Sequence, residues 1–200
     1  MIDVYVAVLP KSESSAPLSC AERQKEIEAL KNERVRREKY YVWRLLEYAI
    51  KNSLGADASR LCFTKGKNQR WFCKDFEFSL SHSGGALAVA VSDKAVGVDV
   101  ERIRVRRAER MAEYILTSRE LCEYEILSDE EKEEWLIHKW CEKEAIFKSQ
   151  DKELFSPSKI ETADFFCDVR SFELSGERYI LSVAATSCDE IRIFEGVKLF

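Results

Sequence analysis

Three short stretches of this 200-residue chain crowd together side chains that can do chemistry. GVDVER, residues 97–102, sets Asp99 and Glu101 two positions apart among valines. On a strand that spacing puts both carboxylates on one face and Val98 and Val100 on the other. Neighbouring carboxylates raise each other's pKa, and a divalent cation removes the conflict. Hard oxygen donors without thiolate or imidazole suit Mg²⁺, although a solvated strand face bearing two acids accounts for the same residues. WLIHKWCEKEAIFKS, residues 135–149, lacks proline and glycine and reads as a helix. Leu136, Trp140, Lys143, Glu144, Phe147 and Lys148 recur at i, i+3, i+4 spacing, so one acid and two lysines share a stripe with apolar anchors. That suits a helix bordering a charged ligand. Taken alone, a surface Glu144–Lys148 pair worth about 0.2–0.5 kcal/mol is the simpler account. FSLSHSGG, residues 78–85, holds His82 between Ser81 and Ser83. Strand neighbours face opposite ways, so neither serine is placed to act as a nucleophile on His82, and no GxSxG elbow occurs. A strand end running into two glycines offers a donor side chain and close-approaching backbone that could hold a phosphate; a satisfied buried histidine is the alternative. His138, beside Trp135 and Lys139, reads as structural.

Those stretches need elements to hold them. MIDVYVAVL alternates and reads as a strand, KSESSAP as a loop, and Ser19 to Leu54 as two helices closed by Gly55. RLCFTKGKNQRWFC reads as two short strands around a Lys-Gly-Lys-Asn turn. Residues 76–104 are strand-rich, with SDK marking a turn, and helices are predicted over 105–127 and 129–149. SFELSGERYILSVAAT reads as a hairpin turning at Ser175–Gly176, with a last strand near EIRIFEG. The order predicts an α+β protein of two similar halves, residues 1–96 and 97–200, the second carrying the paired acids.

Composition narrows the class. A formal charge of −4 gives no global attraction to nucleic acid or to an anionic membrane. Seven cysteines without a CxxC pair disfavour a zinc ribbon and suit reduced thiols in a cytosol. The N-terminus lacks the basic and apolar regions of a signal peptide, and no run approaches 18 apolar residues. The expectation is a soluble cytoplasmic protein.

The three stretches, in this order and spacing, resemble the 4′-phosphopantetheinyl transferases of the larger, pseudodimeric type that activates surfactin synthetase. That pattern runs F-[NS]-[IL]-S-H-S, then G-[IV]-D-[IV]-E, then W-x-x-K-E-[AS]-x-x-K. It is matched by residues 78–83, 97–101 and 140–148. The resemblance implies two α+β subdomains related by a pseudo-twofold, both halves of the active site in one chain, and hence a monomer. It implies transfer of the phosphopantetheine arm of coenzyme A to a carrier-protein serine, releasing adenosine 3′,5′-bisphosphate. Asp99, Glu101 and Glu144 would hold Mg²⁺, with Glu144 also the general base. Lys148 would neutralise the leaving phosphate, assisted by Lys143. Ser81 and His82 would meet the cofactor, His82 at its 3′-phosphate.

Two correspondences depart from the family. Its Gly-Lys-Pro turn is Gly66-Lys67-Asn68 here, so Lys67 can still meet phosphate on a less rigid turn. Its helical arginine corresponds to Arg44, with Arg34, Arg36, Arg37 and Lys39 upstream as further candidates for the 3′-phosphate. Carrier proteins of this kind are acidic, which makes the run Arg102, Arg104, Arg106, Arg107 and Arg110 a candidate docking patch, against a solvated helix face. The rivals are a noncatalytic coenzyme A or nucleotide-binding module and a metal-dependent nuclease or phosphatase.

Overall fold

Residues 86–92, ALAVAVS, are apolar at nearly every position, so the strand they form needs cover on both faces. The computed structural model describes residues 1–12, 14, 16–66, 69–104, 108–150, 152–186 and 190–199, the side chains of 108 and 109 apart. Its elements in chain order are β1 (Ile2–Val8), α1 (Ala21–Glu28), α2 (Glu33–Leu54), β2 (Phe63–Lys65), β3 (Trp71–Cys73), β4 (Glu77–Ser83), β5 (Ala86–Ser92) and β6 (Val96–Arg102). There follow α3 (Ala108–Ile115), α4 (Ser118–Glu125), α5 (Asp129–Ser149), β7 (Phe166–Leu174), β8 (Glu177–Ala185) and β9 (Ile191–Val197). One sheet runs β4-β5-β1-β9, a second β6-β8-β7, and β2 and β3 pair separately.

The alternation of β5 decides the layering. Leu87, Val89 and Val91 pack with Tyr41, Leu45 and Ala49 of α2. Ala86, Ala88 and Ala90 face the second sheet, where Val96, Val98, Val100, Leu181 and Val183 meet them. The far face of the second sheet takes α5 through Ile137 and Cys141 against Ile180, and through Ala145 and Ile146 against Ala184. The result is a stack of four layers, with α2 outside one sheet and α5 outside the other; its α+β class is what the order of elements predicts.

Local signals act where they are expected. Asn32 accepts from Val35 N at the start of α2, and Gly55 closes it at φ 62°. Gly84 and Gly85 take φ of 59° and 102°, giving the two-residue turn that joins β4 to β5. The helix predicted over 105–127 is instead two helices. Thr117 leaves the helical conformation and forms a reciprocal capping box with Glu120, which stops α3 and starts α4. The last strand crosses the predicted boundary between halves. β9 pairs in parallel with β1, where Arg192 clasps both oxygens of the buried Asp3 at 2.7 and 2.8 Å. Among the described residues no helix is long and apolar enough to cross a membrane.

Candidate active site

Gly97 sets the depth of the site. A Cβ there would lie 1.8 Å from the Ala145 carbonyl oxygen and 2.6 Å from the Ser149 nitrogen. Only glycine lets α5 rest directly on the β6 backbone. The last turns of α5 then overlie the two acids of β6. Lys148 Nζ donates to Asp99 Oδ1 at 2.6 Å and to Ser81 Oγ at 3.3 Å, and lies 3.7 Å from Glu144 Oε2. Glu101 accepts from Ser83 Oγ at 2.6 Å and from Trp140 Nε1 at 3.2 Å.

The acids are short of positive charge. Burial, and then the neighbouring Asp99, push Glu101 up to about 7. Burial also pushes Glu144 above its usual range, against the pull of Lys148. Burial opposes the charge on Lys148, but Asp99 and Glu144 outweigh it and hold its pKa above normal. Asp99 is buried, and among the described residues its Oδ2 has no hydrogen-bond partner. As the side chains stand, no group of three His, Cys, Asp or Glu among the described residues is disposed to hold a metal ion; the acids close on the Lys148 ammonium. The donor chemistry still fits a hard dication: the donors are carboxylate oxygens, and one of them, Asp99 Oδ2, is buried without a partner among the described residues.

His82 faces the other way, as strand alternation requires. Its Nδ1 lies 3.3 Å from Glu38 Oε2, and Glu38 in turn pairs with Arg34 at 3.0 Å. Burial lowers its pKa; Glu38 pulls upward, while the cations Lys148, Lys39 and Arg23 push down. Burial and the cations thus disfavour the protonated imidazole, and Glu38 opposes them. Arg23 is buried, with its guanidinium 5.2 Å above the Trp43 ring. Beside Lys148 a cavity of about 250 Å³ is walled by Trp71, Phe78 and Leu80 from the first half and by Phe147, Lys148 and Gln150 from the second. The cavity thus sets the Lys148 ammonium beside an apolar wall.

Residues 95–187, which span β6, α5 and β8, match the family model of the 4′-phosphopantetheinyl transferase superfamily. A 4′-phosphopantetheinyl transferase of Bacillus subtilis is 25% identical, over 74% of this chain and 75% of that protein.

Asp99, Glu101, Glu144 and Lys148 come together around β6 and α5, with Ser81 reaching them from β4. Lys143 does not join them. It is wholly buried, and its Nζ donates to Glu120 Oε2 at 2.5 Å, Ile115 O at 2.9 Å and Pro157 O at 3.0 Å. Three acceptors saturate its three donors, so it clamps α4 and the 157–159 turn to α5. The assisting catalytic role expected of it is therefore corrected to a structural one. Arg44 is also placed elsewhere: it pairs with Glu47 at 2.6 Å in a groove bounded by Pro17–Ser19 and Gly55–Ser59, which shares no lining residue with the Lys148 cavity. Arg37 is engaged with the carbonyls of Pro10 and Lys11, while Lys39 acts on His82. Lys67, Arg106 and Arg107 lie outside the described residues. Arg102 is paired with Glu177 at 3.3 Å, whereas Arg104 and Arg110 are exposed. His138 sits half-exposed against Glu142 at 3.5 Å.

Sequence reasoning missed Arg23, Glu38 and the indole of Trp140. No local spacing marks the first two, which reach His82 only through the packing of α1 and α2 on the first sheet. Trp140 was visible as one turn before Glu144 on the same stripe.

Proposed function

We propose that the chain transfers the 4′-phosphopantetheine arm of coenzyme A to a serine of an apo carrier protein, giving holo carrier and adenosine 3′,5′-bisphosphate, as a single-chain, two-half member of its superfamily. The observation that carries this reading is Lys148, which bridges Asp99 and Glu144 at the lip of a cavity lined by both halves. In-line phosphoryl transfer asks mainly for positioning and for positive charge on the phosphate oxygens. Asp99, Glu101 and Glu144 would hold Mg²⁺, which when bound would supply the charge that neutralises the pyrophosphate. Glu144, whose pKa burial raises, suits the base that takes the proton from the incoming serine hydroxyl. Lys148 would turn from the acids to the leaving phosphate. His82, with Lys39 and Arg23 behind it, would receive the 3′-phosphate, and Lys67 would close on the nucleotide from its turn. The arginine run over 102–110 is the proposed docking face for an acidic carrier.

The test is to incubate the chain with coenzyme A, MgCl₂ and an apo carrier protein and to read the carrier by mass spectrometry. The expected product is the intact arm on one serine, abolished by EDTA. Unmodified carrier with intact coenzyme A would favour a noncatalytic binding module, and cleaved cofactor with unmodified carrier would favour a hydrolase.

A further inference from the structure

The strands β4 and β6 are edges of different sheets, yet they run side by side in the same direction. The hydroxyl of Ser79 accepts from Val98 N at 3.0 Å, that of Ser81 from Val100 N at 3.2 Å, and that of Ser83 from Arg102 N at 3.4 Å. Each serine meets the amide 19 positions further on. These amides point away from β8 and would otherwise lie unpaired at a sheet edge. The serines also face the side chain 18 positions on. For Ser79 that residue is Gly97, which has none. For Ser81 it is Asp99, and for Ser83 it is Glu101. Ser81 Oγ donates to Asp99 Oδ1 at 2.7 Å, and Ser83 Oγ to Glu101 Oε2 at 2.6 Å.

A serine hydroxyl has one proton to give. In Ser81 both acceptor sites are taken, by Val100 N and Lys148 Nζ, so its proton is committed to Asp99. We propose that Ser81 and Ser83 are positioning residues: the first half of the chain uses their hydroxyls to orient the carboxylates of Asp99 and Glu101 for a divalent cation, while Ser79 serves only the sheet edge. This assigns Ser81 to the acids rather than to the cofactor phosphate, and it rests on the metal reading given above.

The three serines form an internal control, because each alanine variant loses the same backbone bond and only two lose a carboxylate bond. Binding of Mn²⁺ alone, followed by electron paramagnetic resonance on the full chain, should weaken about 10–100-fold in Ser81→Ala and Ser83→Ala, the range for partners that orient metal ligands. Ser79→Ala should lower the melting temperature and leave Mn²⁺ affinity unchanged. Equal affinities in all three variants would overturn the proposal, leaving the serines as edge caps. Should the wild-type chain bind no Mn²⁺, the metal reading fails by itself. Crystal structures of the same variants then decide the orientation: Asp99 and Glu101 should leave their wild-type rotamers in Ser81→Ala and Ser83→Ala respectively. Unchanged rotamers would refute the serine-held acids.

Discussion

Lys143 and Lys148 sit five positions apart on α5, which turns them about 140° from each other around the helix. Lys143 enters a closed pocket: a carboxylate and two carbonyls consume its donors, and none of its surface meets solvent. Lys148 keeps a quarter of its side chain exposed, faces a cavity, and pairs with Asp99, whose Oδ2 has no hydrogen-bond partner among the described residues. Both are ion-paired lysines on one stripe of sequence. The difference teaches that a buried pair with every donor satisfied can only hold structure together, whereas a pair at a cleft whose acid retains an open oxygen can exchange one cation for another.

The contrast can be broken in a graded way. Lys143→Ala strands Glu120 as an uncompensated buried charge, which should cost about 3–5 kcal/mol of stability. Urea unfolding reads it, and a loss no larger than that of a surface substitution would make the two lysines alike. Lys148→Ala should reduce transfer to the carrier on the order of 10²–10³-fold, the range for removing one preorganised charge-stabilising donor. Its loss of stability should be smaller than that of Lys143→Ala, because Ser81 still donates to Asp99. A Lys148 variant that unfolds as readily as the Lys143 variant would merge the two classes. The Arg192–Asp3 clasp, half open to water, gives the smallest effect and a pH signature. Burial raises the Asp3 pKa, but the Arg192 and Ser53 hydrogen bonds, with the charges of Arg192 and the N-terminus, together outweigh it and hold it below the usual carboxylate range. A carboxyl whose folded pKa is depressed contributes stability above its unfolded pKa and loses it as pH falls through the folded value. Arg192→Gln should therefore melt lower than wild type at neutral pH, and the gap should close under strong acid. A gap independent of pH would mean that the clasp acts by packing alone.

Elements with a self-contained chemical signal were legible before any coordinates. The β4–β5 turn follows from two glycines that accept positive φ, the end of α2 from Gly55, and the shared face of Asp99 and Glu101 from a period of two. The break at Thr117 was legible too, since a threonine followed three positions later by glutamate is a capping signal, but the apolar run through Ile115 and Leu116 hid it. Placing Lys143 and Arg44 needed more than spacing. Residues 143 and 144 stand about 100° apart on a helix, so a stripe drawn wide enough to hold both spans two environments.

By itself, then, the amino-acid sequence determined the α+β order of elements, because turns, caps and periodicities are encoded within a few residues, while three short motifs carried the resemblance to a transferase family. Only the tertiary structure decided which lysine meets the acids, that Arg44 belongs to another groove, that β9 returns to the first sheet, and that the β4 serines reach across to β6. Those outcomes depend on how closely two sheets and a helix approach, which Gly97 and the β5 alanines permit but no local pattern specifies.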